Sequence, residues 1–222
     1  MAGLDSRGKF EAMFGRRLGL LAGRHRRELI EMAGDPPDLS KVPPEWFDRV
    51  RLETEAELLA ILLIIFVIAA TAHGADSGQA QSRGLEWATQ TARERSTAWA
   101  QGTRDAVAKL ATVPDLDAAT LRDSAGTALG PGRVEGEVIT QTTVATSAGS
   151  EFAATSAGLV DQRDIWRTEK DAKVCPICRP LDGTARTVWA QKFPSGPPAH
   201  PRCRCEIDYA MANLLRGDPD LN

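Results

Sequence analysis

Apolar residues recur at helical spacing over residues 8–33. Phe10, Met13, Phe14, Leu18, Leu21, Leu29 and Met32 fall by threes and fours, with a gap around His25, and predict an amphipathic helix. The stretch GDPPDLSKVPPEWFDRV, residues 34–50, breaks the pattern with two Pro-Pro pairs and reads as a stiff connector. A second helix is predicted from Pro44, where proline suits the first turn and Glu45 complements the positive dipole end. It runs into LLAILLIIFVIAATAHGA, residues 58–75, which carries no formal charge when His73 is neutral. A helix apolar on every side requires burial all round or lipid. The strongly apolar part, residues 58–72, is shorter than the roughly 20 residues a membrane span needs. Its flank carries Glu53, Glu55 and Glu57 instead of basic and aromatic anchors. A helix buried in a bundle or oligomer is the first reading, and membrane insertion the second.

Beyond this helix, GADSGQAQSRG (residues 74–84) reads as a Gly/Ser-rich turn, and residues 84–112 as a helix with Leu85, Trp87, Trp99, Val107 and Leu110 as its apolar points. A turn and a short helix follow, with Asp117 as the expected N-cap. From Gly130, the residues Val134, Val138, Ile139, Val144 and Ala148 keep helical spacing against a high density of Thr. The texture changes at Asp164. DIWRTEKD, DGTARTVW and RCRCEIDYA each read as a strand, and MANLLR as a closing helical turn. The expected fold class is therefore α+β: a mainly helical N-terminal two-thirds and a small α+β C-terminal domain. We divide the chain into a helical arm with the apolar helix (1–75), a helical region (76–160) and the C-terminal domain (161–222).

Composition adds bounds. The chain has 222 residues, enough for one large domain or two small ones, with 42% hydrophobic and 26% charged residues, near ordinary globular usage. A net charge of −3 argues against a general polyanion binder. The charge is uneven, however. From Arg7 to Arg27 the basic residues are Arg7, Lys9, Arg16, Arg17, Arg24, Arg26 and Arg27, against Glu11 alone. This face suits DNA, an acidic protein surface, anionic lipid or simple solvation. Between Arg163 and Cys205, nine basic residues stand against four acidic ones. Arg163, Arg167, Arg179, Arg202 and Arg204 are the candidate phosphate contacts there, on charge density alone.

All four cysteines lie in that region, in VCPICRPLDG and, sixteen residues later, HPRCRC. The first twenty residues lack a continuous apolar core and a cleavage site, which points to a reducing compartment where clustered cysteines hold metal more often than they form disulfides. The C-x2-C turn of Cys175 and Cys178 offers two corners of a zinc tetrahedron. Cys203 and Cys205, two apart in an extended stretch, face one way. With His200, five candidates compete for four positions: four cysteines, or three cysteines with the histidine. Such a closed site would be a structural Zn2+ that staples a small domain. H-E-x-x-H, G-x-S-x-G and Walker signatures are absent, and the deaminase pattern is only half met.

The residues WRTEKDAKVCPICRPLDG and FPSGPPAHPRCRC together resemble the C-terminal domain of the phage Mu F-like family of minor head, or head morphogenesis, proteins. Trp166, the C-P-x-C knuckle, Leu181-Asp182-Gly183 and the P-P-x-H-P-x-C-R-C run are all present in order. Family members often carry T-E-x-T-R-A upstream; here the nearest stretch is TQTTVA, Thr140 to Ala145, with Gln141 and Val144 where Glu and Arg are usual. The resemblance implies a non-enzymatic minor capsid component of a tailed bacteriophage, located in the virion at the portal vertex or capsid interior and in the host cytoplasm during assembly. Its implied partners are the portal protein, major capsid or scaffold proteins, phage DNA and further copies of itself, with a membrane only during ejection. The alternatives kept beside it are an ejected membrane-inserting channel component and a zinc-dependent DNA-processing enzyme.

Overall fold

The computed structural model describes residues 2–169 and 174–210. Five helices carry most of the chain: α1 (Ala2–Ala33), α2 (Pro44–Ala72), α3 (Ser77–Leu110), α4 (Ala118–Ala128) and α5 (Pro131–Ser156). They are followed by β1 (Ile165–Arg167), the short α6 (Arg186–Trp189) and β2 (Glu206–Asp208). The architecture is the expected α+β, mainly helical with a small C-terminal sheet. The chain forms two compact units, one of Met1–Glu11, Leu62–Glu86 and Ile139–Asn222, the other of Ala12–Ile61 and Trp87–Val138. MANLLR lies outside the described residues, as do Lys170 and Lys173.

In the second unit, α1 buries Phe14, Leu18, Ala22, His25, Leu29 and Ala33, a continuous stripe at intervals of three and four. The apparent gap at His25 is filled by His25 itself, whose Nε2 lies 2.7 Å from Glu53 Oε2. Arg17 pairs with Glu57, Arg24 with Glu53 at 2.6 Å, and Arg49 with Glu28 at 2.9 Å. These pairs descend along α2 as they climb α1, so the two helices run antiparallel here. Part of the basic face of α1 is thereby matched by the acids that flank the apolar helix. Helix α4 begins as expected, with the Asp117 carboxylate accepting from Thr120 N at 2.7 Å. Its Leu121 packs with Ala33 and Leu110.

Two expectations fail along α3. The stretch read as a turn is helical from Ser77, with Asp76 Oδ1 accepting from Gln79 N at 2.9 Å. The first half of its buried face is made of small residues, Ala80 in the first unit and Ala88, Ala92 and Ser96 in the second, while Leu85 is 49% exposed; the expected Trp99, Val107 and Leu110 are buried further along. Small side chains at four-residue spacing let backbones approach closely, and a search for large apolar points overlooks them. The same device acts on α2 in the first unit. A Cβ on Gly84 would lie 2.8 Å from the Phe66 ring, and one on Gly149 would strike the Phe66 carbonyl oxygen. Leu62, Ile65, Phe66, Ala69 and Ala70 are buried there, and the Phe66 and Phe152 rings meet at 5.8 Å. Ile64 and Ile68 stay 41% exposed, so the helix is not buried all round as its composition required. By length and composition it is able to cross a membrane.

The C-terminal sheet pairs β1 and β2 antiparallel, with Trp166 opposite Ile207. The strand expected over DGTARTVW is not formed. Only Ala185 bridges to Ile165, and residues 186–189 coil into α6. The helical turn brings Trp189 and Arg186 to one residue: Trp189 Nε1 donates to Asp164 O at 2.9 Å, and Arg186 Nε meets Asp164 Oδ2 at 3.2 Å. Those contacts outweigh the weak β propensity of a four-residue stretch.

Candidate metal centre

The first knuckle is a tight turn in which Cys178 N approaches Cys175 Sγ at 3.4 Å and Arg179 N donates to Cys175 O at 3.0 Å. It leads into a 3-10 turn, Arg179–Leu181, that buries Leu181. The second half is the HPRC turn, closed by Cys203 N donating to His200 O at 3.1 Å. Cys203 and Cys205 are buried with Arg204 half-buried between them, the alternation expected for an extended stretch. Beneath them lies an aromatic floor: Trp166 is fully buried, 5.9 Å from the Trp189 ring and 5.7 Å from Phe193.

All five expected ligands converge. They form two groups, Cys175–Cys178–His200 and Cys178–Cys203–Cys205, each with its ligand atoms within 4.8 Å of one another. Cys178 belongs to both. His200 Nε2 lies 2.8 Å from Cys175 Sγ and 3.1 Å from Cys178 Sγ. Its Nδ1 lies 2.6 Å from Pro201 O. A carbonyl only accepts, so Nδ1 carries the proton, and in the neutral ring Nε2 turns its lone pair toward the two sulfurs. That is the arrangement in which histidine ligates metal. Cys178 Sγ and Cys203 Sγ are 3.8 Å apart. Zn–S bonds of about 2.3 Å place two tetrahedral sulfurs about 3.8 Å apart, so this edge already fits.

The metal-free thiols are strongly perturbed. Burial pushes Cys178 up to about 12. Cys203 is pulled down to about 5, first by its hydrogen bond with Cys205 and then by neighbouring backbone N–H groups acting against burial. Cys205 is driven up by the same bond and by burial. The contact between the two thus favours the thiolate on Cys203, and a thiolate is the form a metal takes.

The candidate arginines are placed differently. Arg202 and Arg204 line the small pocket at the cysteines, with Thr168 and Glu169. Arg179 is exposed. Arg163 pairs with Asp161 at 2.9 Å, and Arg167 with Asp208 at 3.2 Å.

Sequence reasoning missed two supporting networks. Arg186 also reaches Glu151 at 3.2 Å, and Glu151 Oε2 accepts from Tyr209 OH at 2.5 Å. Asp164, fully buried, takes N–H bonds from Asp161 and Ala210 besides Arg186, and burial raises its carboxyl. Helix α5 supplies the second network. Thr140 Oγ1 accepts from Arg202 N at 2.8 Å, and Thr143 Oγ1 donates to Cys203 O. TQTTVA is where these two threonines sit, but their partners lie about 60 residues away, and no local signal announces them.

Residues 117–208 match the family model described as Phage Mu protein F like protein. The match starts at the α4 N-cap and ends with β2, so it covers α4 and α5 as well as the cysteine turns. Over that segment, less than half of its length, this chain is similar to the phage Mu F-like family. That family is one of phage head morphogenesis, and its character is structural. No curated protein and no solved structure matched.

Proposed function

We propose that this chain is a minor capsid protein of a tailed bacteriophage that acts at the portal vertex, assisting head assembly and genome packaging or ejection. The observation that carries the reading is the convergence of Cys175, Cys178, His200, Cys203 and Cys205 inside the matched segment. Its role is that of a structural part, not a catalyst. A structural zinc fits the donor set, held by Cys175, Cys178, His200 and Cys203, with Cys205 hydrogen-bonding the Cys203 thiolate. When bound, such an ion supplies a cross-link between two turns and contributes folding free energy. On this reading residues 161–222 present the zinc-bound surface, and the helices before them dock on portal, major capsid or scaffold protein. Arg163, Arg167, Arg179, Arg202 and Arg204 are the arginines proposed to meet packaged DNA, with Arg163 and Arg167 exchanging Asp161 and Asp208 for phosphate. Infection with a phage lacking this gene tests the role. Heads altered in yield, DNA content or infectivity support it, and unchanged infectious particles refute it.

The half-exposed Ile64 and Ile68 favour one second reading, in which α2 enters the host membrane during ejection. Flotation of the purified protein with liposomes supports that reading; protein left in the soluble fraction makes α2 a packing element.

A further inference from the structure

We propose that Arg7 and Thr143 are positioning residues of the metal centre, joined in a hydrogen-bond relay that runs from the N-terminal helix through α5 to the backbone of Cys203. The inference rests on the metal-binding reading above. Arg7 Nη2 donates to Thr143 Oγ1 at 2.6 Å across 136 residues of sequence. Its Nε is held by Glu11 Oε1 at 2.9 Å, and Glu169 Oε1 lies 3.8 Å away, so the guanidinium is fixed on its acidic side. Thr143 is 1% exposed. Its hydroxyl has one proton and two carbonyls in reach, Ile139 O at 3.2 Å and Cys203 O closer. Arg7 occupies the acceptor side, and the proton goes to Cys203.

One turn earlier on the same helix, Thr140 holds Arg202 N. Arg202 stands at φ 64°, a left-handed conformation unfavourable for a residue with a Cβ. The two threonines thus grip the N–H before and the carbonyl after the Arg202–Cys203 peptide link. Fixing both groups fixes the direction in which Cys203 sends its sulfur. A charged donor at the head of the relay polarises the hydroxyl and strengthens its bond to the carbonyl. The metal centre is therefore not contained in residues 161–222: it is completed by α5 and by the first turns of α1.

The test uses the full chain, with zinc affinity read by competition against a chromophoric chelator and geometry read from the thiolate absorption of the cobalt(II) form. Thr143→Val and Arg7→Met are each expected to weaken zinc about tenfold and to shift the cobalt spectrum, as loss of an outer hydrogen bond to a ligand does. Thr143→Ser keeps the hydroxyl and restores wild-type affinity. The double variant loses little more than Thr143→Val alone, because both cut one relay. Arg17→Met, which removes a partner of Glu57, leaves affinity unchanged. Should Thr143→Val fail to fold, Arg7→Met carries the same comparison. A wild-type chain that binds neither zinc nor cobalt overturns the metal reading itself. Wild-type binding with no change in Arg7→Met and Thr143→Val overturns the relay alone.

Discussion

His200 and Cys205 are the residues that decide which ligand set is used. The Nδ1–H of His200 is spent on the Pro201 carbonyl, and Nε2 is left facing Cys175 and Cys178. Cys205, by contrast, has its pKa raised by the hydrogen bond it shares with Cys203 and by burial, which makes it the proposed outer partner. Removing a true ligand opens a coordination position, whereas removing an outer partner only reorients one. His200→Ala is therefore expected to weaken zinc at least 100-fold, and Cys205→Ser about tenfold. Chelator competition on both variants checks the order, and a larger loss in Cys205→Ser than in His200→Ala would assign Cys205 to the metal in place of His200. The five candidate ligands were legible in the sequence because spacing within a turn is local: C-x2-C and H-x2-C-x-C each fix a turn by themselves. Thr143 and Arg7 were not, because a hydroxyl or guanidinium has many possible partners and only the packed fold selects one.

At the scale of elements, helix starts announced themselves through chemistry that acts within one turn. Pro44 and Asp117 both open helices where the sequence placed them. Buried faces made of small residues did not announce themselves, since hydrophobic spacing weighs Leu85 and Trp87 above Ala88, Ala92 and Ser96. The strand expected at DGTARTVW failed for a different reason. Four residues have too little propensity of either kind to resist the bonds from Asp164 to Arg186 and Trp189. The close approach of α5 to α2 yields an element-scale prediction. A Cβ on Gly149 would strike the Phe66 carbonyl and lie 3.0 Å from Ala69 Cβ, whereas one on Gly19 in α1 meets nothing within 4 Å. Gly149→Ala should force the helices apart and cost about 1–3 kcal/mol. Gly19→Ala should gain up to about 1 kcal/mol from helix propensity. Urea denaturation of the pair reads both signs, and a neutral Gly149→Ala would show that the helices separate freely.

For the whole molecule, the two compact units draw on different groups, and pH separates them. The unit of Met1–Glu11, Leu62–Glu86 and Ile139–Asn222 contains the candidate metal centre, and because cysteine and histidine bind metal deprotonated, the stability a metal would add there is expected to fade on acidification. The unit of Ala12–Ile61 and Trp87–Val138 contains His25, buried against Glu53 with Glu28 and Arg24 nearby. Burial lowers the His25 pKa from its ordinary 6.5, outweighing the opposite pull of Glu53 and Glu28. A ring that binds its proton less tightly when folded favours unfolding once the solution supplies that proton. Its stabilisation is thus present above the unfolded value of about 6.5 and is lost as pH falls through the lower folded value, at no more than about 1.4 kcal/mol per pH unit. With a chelator present throughout, the metal contribution is removed and the histidine contribution remains. We expect the unfolding free energy of the chelated protein to fall between pH 7.5 and 5.5, and that fall to shrink in His25→Gln. The carboxylates away from His25 are common to both proteins, so the difference between the two pH profiles reads His25 together with its neighbours Glu53 and Glu28. Parallel profiles would mean that the pull of Glu53 and Glu28 offsets burial and leaves the His25 pKa unshifted, and a steeper fall in His25→Gln would mean that Glu53 keeps the ring protonated in the fold.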